Sequence, residues 1–289
     1  MSEYDLVIAS FQLERLEDNL FQSRSPAIGW RRTYGGLLLA HATEAARLTV
    51  GPDKVFHSLH GSFLRPGNTS EPMVTSVERL LDGRTIVHRR LTLTQLGKPV
   101  FTASISFRAP GDGLFFSPPM PAITAPEQLP DEKLLLSKYR DRLPESAHKY
   151  LSRLKAFEVR PVDADQYLFA PGSQGSQMAA WFKLRSGRLP DAHYSPALLA
   201  YLSDMPVLNA SLIPHNRNFF DPELSMASLD HALWQHAEPD WSDWILAIHE
   251  SLGTEAGMGL GQVRFYNRTG TMVATVTQQG FIKLHEHKN

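Results

Sequence analysis

Apolar residues recur along the chain with two different spacings, and these two spacings alternate. Residues 36–48 and 197–209 have the three-to-four-residue spacing of a helix, and Ser195 and Pro196 mark the predicted cap and first turn of the second one. Stretches rich in β-branched and aromatic residues follow each helix, at 73–81, 85–95, 244–252 and 259–267. Each half therefore predicts several long antiparallel strands wrapped around one helix.

The two halves also share short blocks of sequence in the same order. Residues 55–63 match residues 226–234 at an offset of 171 positions, and residues 96–104 match residues 269–277 at an offset of 173. The second pair of blocks, 96–104 and 269–277, has the pattern of a strand, a glycine turn and a β-branched strand. Such internal similarity indicates two copies of one domain.

A stretch rich in proline divides the two halves. Residues 109–130 predict a connector because proline and glycine interrupt regular structure there. Beyond it, we predict a helix over 134–150 and strands over 157–162 and 178–184. The predicted domains are residues 1–110, a connector over 111–150, and residues 151–289, which carry the catalytic residues.

Composition narrows the partners and the chemistry. The 289 residues contain 29 Lys and Arg against 30 Asp and Glu, so no overall field attracts nucleic acid or an anionic membrane. The chain has no cysteine, which excludes disulfides, a thiolate nucleophile and a Cys-ligated metal. Without a signal-peptide pattern or an apolar run of about 20 residues, we expect a cytoplasmic protein that does not insert into membranes.

Six motifs occur in a specific order along the chain. They are Arg-Thr-Tyr-Gly-Gly at 32–36, His-Ser-Leu-His-Gly-Ser-Phe-Leu-Arg-Pro-Gly at 57–67, Glu-Val-Arg-Pro at 158–161, Tyr-Leu-Ser-Asp at 201–204, Ala-Ser-Leu-Asp-His-Ala-Leu-Trp at 227–234, and Val-Ala-Thr-Val-Thr-Gln-Gln-Gly at 273–280. With these motifs the chain resembles the acyl-CoA thioesterase II family over nearly its entire length. The resemblance implies an α+β double-hotdog fold, in which two tandem antiparallel sheets each wrap one helix. It also implies hydrolysis of fatty acyl-CoA to fatty acid and CoA.

The resemblance further implies a site in the second half. In that family an Asp, a hydroxyl residue and a Gln converge on a water, and the motifs place these at Asp204, Ser228 and Gln278. Ser228 stands where Thr is common, which keeps the hydroxyl. We expect acyl-CoA as the substrate, no cofactor, one site per chain, and a homodimer or homotetramer.

From the residues alone, without the family resemblance, each of these three residues also has a non-catalytic interpretation. Asp204 interrupts an apolar stripe of the predicted helix, which suits a base that deprotonates water but also a solvated helix end before Pro206. Gln278 lies on an apolar strand face, where it could orient a water, polarise the thioester carbonyl or satisfy a neighbouring strand. Ser228 alone is more typical of an incidental strand residue, and the chain has no Gly-x-Ser-x-Gly elbow, which favours direct attack by water.

Three further residues are predicted to contact the substrate. Gly35 and Gly36 open the first predicted helix, where small residues let a ligand approach the backbone. His57 lies in a family motif and aligns with Ser228 across the repeat. No His-Glu-x-x-His spacing occurs, so we interpret the histidines as structural rather than metal ligands and expect no metal.

Two alternative functions share this fold. A hotdog acyl-CoA hydratase places a His five residues after the helix Asp, but that position is Asn209 here. A non-catalytic acyl-CoA-binding protein would lose the polar triad, whereas all three residue types are present. Both comparisons favour the thioesterase.

Overall fold

The computed structural model describes residues 3–26, 32–152, 155–169, 175–189 and 191–285. The α-helices in these ranges are α1 (Glu3–Ala9), α2 (Gly35–Arg47), α3 (Glu132–Lys138), α4 (Glu145–Leu151), α5 (Ala164–Phe169) and α6 (Ser195–Ser203). The strands are β1 (Glu14–Glu17), β2 (Leu20–Ser23), β3 (Val55–Phe63), β4 (Met73–Asp82), β5 (Ile86–Gln95), β6 (Lys98–Arg108), β7 (Phe157–Pro161), β8 (Gln177–Leu184), β9 (Leu224–Gln235), β10 (Ile245–Glu255), β11 (Met258–Asn267) and β12 (Met272–Leu284). A long 3₁₀ helix, Val207–His215, follows α6.

The chain forms two compact units. Unit 1 comprises Met1–Ser117, Leu189–Met205 and Leu229–Glu238, and unit 2 comprises Pro118–Arg188, Pro206–Ser228 and Pro239–Asn289. Strand β9 therefore begins in unit 2 and ends in unit 1. These units are defined by contacts, and the predicted sequence domains at 1–110 and 151–289 stay a prediction.

In unit 1, antiparallel strands run in the order β1-β2-β4-β5-β6-β3-β9. Alternate residues of β5 and β6, such as Leu91, Phe101 and Ile105, are completely buried. Helix α2 contacts these strands and also α6, which explains why nearly every one of its residues is buried. Burial of each large apolar side chain contributes roughly 1.5–3 kcal/mol to folding.

The pairing of β3 with β9 agrees with the internal repeat. His60 lies opposite Ala232, and Gly61 lies opposite His231. The repeat equates His60 with His231 and Gly61 with Ala232. The offset of 171 positions therefore converts the first of these pairs into the second. This register is the one that a two-fold relation between the repeated blocks requires.

A buried arginine fixes the end of α2 in unit 1. The Arg89 side chain is fully buried on β5, where its Nε donates to Thr49 Oγ1 at 2.8 Å and its Nη2 donates to the Thr49 carbonyl at 3.0 Å. It also donates to the Leu81 carbonyl at 3.1 Å and pairs with Asp82. Because the cation has these partners, the usual cost of burying a charge is offset, and the charge lies at the negative end of the helix dipole.

In unit 2, the strand order is β9-β12-β11-β10-β8-β7. The 3₁₀ helix packs directly on one face of this sheet, at positions occupied by glycine. A Cβ added to Gly280 would lie 2.2 Å from Leu208 Cδ1, and one added to Gly261 would lie 2.7 Å from the Val207 carbonyl oxygen. Glycine is therefore required at both positions for this close approach.

The predicted strands are confirmed, but two predicted helices are wrong in detail. The helix predicted over 197–209 ends at Ser203, since Pro206 has no N–H to continue it and disfavours the helical conformation at the residue before it. Ser195 is the first helical residue rather than the cap, and its hydroxyl donates to Glu238 at 3.3 Å. The helix predicted over 134–150 is divided into α3 and α4, with Pro144 as the N-cap of α4.

Among the described residues, one segment, Ala192–His215, is long and apolar enough to cross a membrane by length and composition alone, and it includes both α6 and the 3₁₀ helix. Of its most apolar window, 72% is buried inside the protein. Burial in the core therefore accounts for its apolar character.

Candidate active site

Asp204 lies at the end of one helix and beside the start of another. It forms the C-cap of α6 and is half-buried. A Cβ added to Gly35, the first residue of α2, would lie 2.7 Å from Asp204 Oδ2 and 3.0 Å from a ring carbon of Phe63. Only glycine leaves room for this carboxylate. The first turn of a helix also favours a negative charge, because its N–H groups have no partner within the helix.

Gly36 is a packing residue at the contact between α2 and α6. A Cβ at this position would lie 2.4 Å from the Tyr201 carbonyl oxygen. The Tyr34 hydroxyl donates to the same oxygen at 3.2 Å, and the Tyr34 and Tyr201 rings meet edge to face at 5.0 Å. The two helices can approach only because Gly36 lacks a side chain. The role of Gly35 and Gly36 in substrate binding stays a prediction.

Ser228 and Gln278 are brought together in unit 2. Gln278 lies on β12 opposite Gly261 of β11, and its side chain is buried. Its Nε2 donates to Ser228 Oγ on β9. The serine hydroxyl therefore accepts from an amide, and the Gln278 amide oxygen is the atom with which that side chain can accept from a water.

His57 lies in unit 1, where the register between β3 and β6 shifts. Its Nδ1 is 2.8 Å from Ser106 Oγ, which is itself 2.8 Å from Ser58 Oγ. Partial burial, followed by the positive charge of Arg108, lowers the pKa of His57 below its usual value. The imidazole is therefore neutral at pH 7, and its predicted contact with the substrate stays a prediction.

Asp204 belongs to unit 1, whereas Ser228 and Gln278 belong to unit 2. The structure thus brings together two pairs of the predicted residues, Gly35 with Asp204 and Gln278 with Ser228. The convergence of all three polar residues on one water stays a prediction.

Sequence reasoning missed a buried hydrogen bond beside Asp204. Ser203 Oγ lies 2.9 Å from His231 Nε2, and both side chains are buried. The place of His231 in the sequence indicates only a structural histidine. The available signal was its position three residues after Ser228 on the same strand, together with the position of Ser203 immediately before Asp204.

Among the described residues, no group of three or more His, Asp or Glu side chains is arranged to hold a metal ion. The three candidate polar side chains are a carboxylate, a hydroxyl and an amide. Such a set can hold, orient and deprotonate a water.

Comparisons with known proteins identify the family. A family model described as the acyl-CoA thioesterase C-terminal domain matches residues 126–282, and one described as the N-terminal domain matches residues 21–108. The chain belongs to the acyl-CoA thioesterase II family. It is 31% identical to acyl-CoA thioesterase 2 of Haemophilus influenzae over 97% of this chain and 98% of that protein. It is 30% identical to human acyl-coenzyme A thioesterase 8 over 96% of this chain and 89% of that one.

Solved structures agree with the family assignment. An acyl-CoA thioesterase II of Mycobacterium marinum superposes with a TM-score of 0.78 at 29% identity, covering 96% of this chain and 98% of that one. A hot dog fold protein from Alicyclobacillus acidocaldarius has a TM-score of 0.77 at 18% identity, covers 99% of this chain and 100% of that one, and shows the fold alone. The predicted α+β double-hotdog fold of this thioesterase is confirmed.

Gly35→Ala is expected to lower kcat by up to about 10²-fold, because the new methyl group displaces the Asp204 carboxylate and misplacement by about 1 Å can cost that much. Alanine has a higher helix propensity than glycine, so α2 itself should persist. Steady-state hydrolysis of an acyl-CoA, with circular dichroism to check the fold, measures the effect.

Gly111→Ala is the matched control, since nothing lies within 4 Å of a Cβ there. Equal kcat for Gly35→Ala and wild type would show that the position of the Asp204 carboxylate does not matter.

Proposed function

We propose that this acyl-CoA thioesterase hydrolyses fatty acyl-CoA by direct attack of a water, which Asp204 deprotonates and which Ser228 and Gln278 hold in place. The water oxygen bonds to the thioester carbonyl carbon while its proton passes to the Asp204 carboxylate. The resulting oxyanion collapses, the C–S bond breaks, and the CoA sulfur leaves as a thiolate that takes up the proton. The products are a free fatty acid and CoA.

The observation that carries this scheme is the hydrogen bond from Gln278 to Ser228. A serine nucleophile needs a base within hydrogen-bond reach to take its proton. The Gln278 amide nitrogen is a donor and cannot serve as that base. This contact instead supports a serine that orients a water.

The buried position of Gln278 supports the same role. A neutral amide that is 2% exposed needs polar partners, and Ser228 supplies one of them. A water bound by the amide oxygen and the serine hydroxyl would be held in a fixed position before the base acts. Such preorganisation contributes to catalysis because no reorientation is needed during the reaction.

Ser228→Ala should keep a measurable fraction of activity and Ser228→Thr should remain active, because a water-orienting hydroxyl can be replaced in part. Release of CoA from palmitoyl-CoA, followed with a thiol reagent, measures turnover. Rapid quenching and mass spectrometry of the wild type should show no acylated Ser228.

Ser225→Ala on the exposed part of β9 serves as the control for that experiment and should match wild type. An acylated peptide containing Ser228 would refute direct attack by water while leaving thioester hydrolysis intact.

We also propose that the thioesterase acts as a homodimer or homotetramer. Leu114, Phe115 and Phe116 are consecutive and almost fully exposed, at 109%, 87% and 88%. Contiguous exposed apolar side chains are typical of surfaces that bind another protein, and a second copy of the chain is the expected partner. Analytical ultracentrifugation measures this assembly directly.

The cellular context is likewise proposed. A cytoplasmic location and a role in fatty acid metabolism fit a chain without cysteine, with a net charge of −1 and with acyl-CoA as substrate. The same near-neutral charge supports the absence of nucleic acid as a partner. Cell fractionation tests the location.

A further inference from the structure

Ser203, the residue immediately before Asp204 in the sequence, takes part in a buried chain of hydrogen bonds. Ser203 Oγ donates to the Ala200 carbonyl oxygen at 2.8 Å and lies 2.9 Å from His231 Nε2. The serine hydroxyl has one proton, and the carbonyl can only accept it. His231 Nε2 must therefore carry a proton and donate to Ser203.

The side chains of Ser203 and His231 are both buried, and each lies on a regular secondary-structure element. Ser203 is 0% exposed and His231 is 1% exposed. His231 lies on β9 opposite Gly61 of β3, within a regular antiparallel ladder. On the helix side, the Met205 N–H donates to the Leu202 carbonyl at 3.0 Å and closes the last turn around Asp204.

Asp204 is thus held from two directions in unit 1. Its backbone follows directly on the residue that His231 binds, and its carboxylate lies against Gly35. The histidine does not act on the carboxylate itself through this contact. The contact lies at the last turn of α6, from which the carboxylate extends.

We propose that His231 is a positioning residue that holds the last turn of α6 and thereby aligns Asp204 with the attacking water. This inference rests on the proposed role of Asp204 as the base. Loss of the buried N–H donor lets the end of α6 move, since Ser203 then has a hydrogen bond on the helix side alone. Because the base acts only during the chemical step, such movement lowers kcat and leaves KM unchanged.

The test compares His231→Leu with His231→Gln, whose side-chain amide retains a donor. His231→Leu should lower kcat about 10–100-fold with an unchanged KM, and His231→Gln should recover part of that loss. Ser203→Ala should lower kcat in the same way, since it removes the other partner, and it provides a second variant should His231→Leu fold poorly. The control is His249→Leu, which removes another fully buried histidine and should keep the wild-type kcat.

Combination with Asp204→Asn separates positioning from a general structural effect. If His231 acts through Asp204, the double variant Asp204→Asn/His231→Leu should be no slower than Asp204→Asn alone. The same fractional loss in both backgrounds would overturn the proposal, as would an unchanged kcat in both His231→Leu and Ser203→Ala. Failure of the proposed function shows separately, as a wild-type rate for Asp204→Asn alone.

Discussion

Asp204→Asn is expected to lower turnover of acyl-CoA by about 10²- to 10⁴-fold, the usual cost of losing a general base. Asparagine has nearly the same shape but cannot accept the proton of the attacking water. The contact with Gly35 should persist because the side-chain volume hardly changes. The fold and the affinity for acyl-CoA are therefore expected to remain.

Three measurements make this prediction specific. Thiol release from palmitoyl-CoA gives kcat, thermal unfolding reports the fold, and titration with a non-hydrolysable acyl-CoA thioether gives affinity. Asp221→Asn, at an ion pair with Arg217 in unit 2, is a control for loss of a partly buried carboxylate. A wild-type rate for Asp204→Asn would refute the assignment of the base.

The second large effect is expected in acid. Burial lowers the pKa of His41 to about 4, against a smaller opposing effect of the Ser10 backbone. Burial likewise lowers the pKa of His249 to about 4, and neither of its ring nitrogens has a hydrogen-bond partner among the described residues. Both residues stay neutral in the folded protein at pH values where the unfolded chain binds a proton.

Their contribution to stability is therefore complete above about pH 6.5 and is lost as the pH falls toward 4. A difference of about 2.5 pKa units corresponds to roughly 3 kcal/mol for each histidine. Glu44 acts in the opposite direction, because burial raises its pKa and the folded state holds that proton more tightly. The net result should still be marked loss of stability between pH 6.5 and 4.

Urea unfolding across this pH range measures the effect. The free energy of unfolding of His249→Leu should fall by about 3 kcal/mol less than that of wild type between pH 7 and pH 4. Ile248→Val, at the neighbouring buried position, removes a methylene and no titrating group, so it is the control, and its pH profile should parallel that of wild type. Parallel pH profiles for His249→Leu and wild type would contradict the prediction.

Much of the fold could be predicted from sequence because the repeating patterns are local. β-Branched and aromatic composition predicts the strands at 73–81, 85–95, 244–252 and 259–267, and the structure places strands there. The motifs identified the family, and through it the double hotdog and the candidate residues Asp204, Ser228 and Gln278. Residue type and order suffice for such assignments.

Tertiary structure alone decided what those residues touch. The sequence contains Gly35 and Asp204 far apart, and only the packing of α2 beside α6 shows that the glycine leaves room for the carboxylate. The hydrogen bond from Gln278 to Ser228 likewise joins two strands, through residues that are 50 positions apart in the sequence. Nothing in its sequence position separates His231 from other core histidines, whereas its contact with Ser203 does. Such contacts depend on the register and approach of distant elements, which local sequence patterns do not encode.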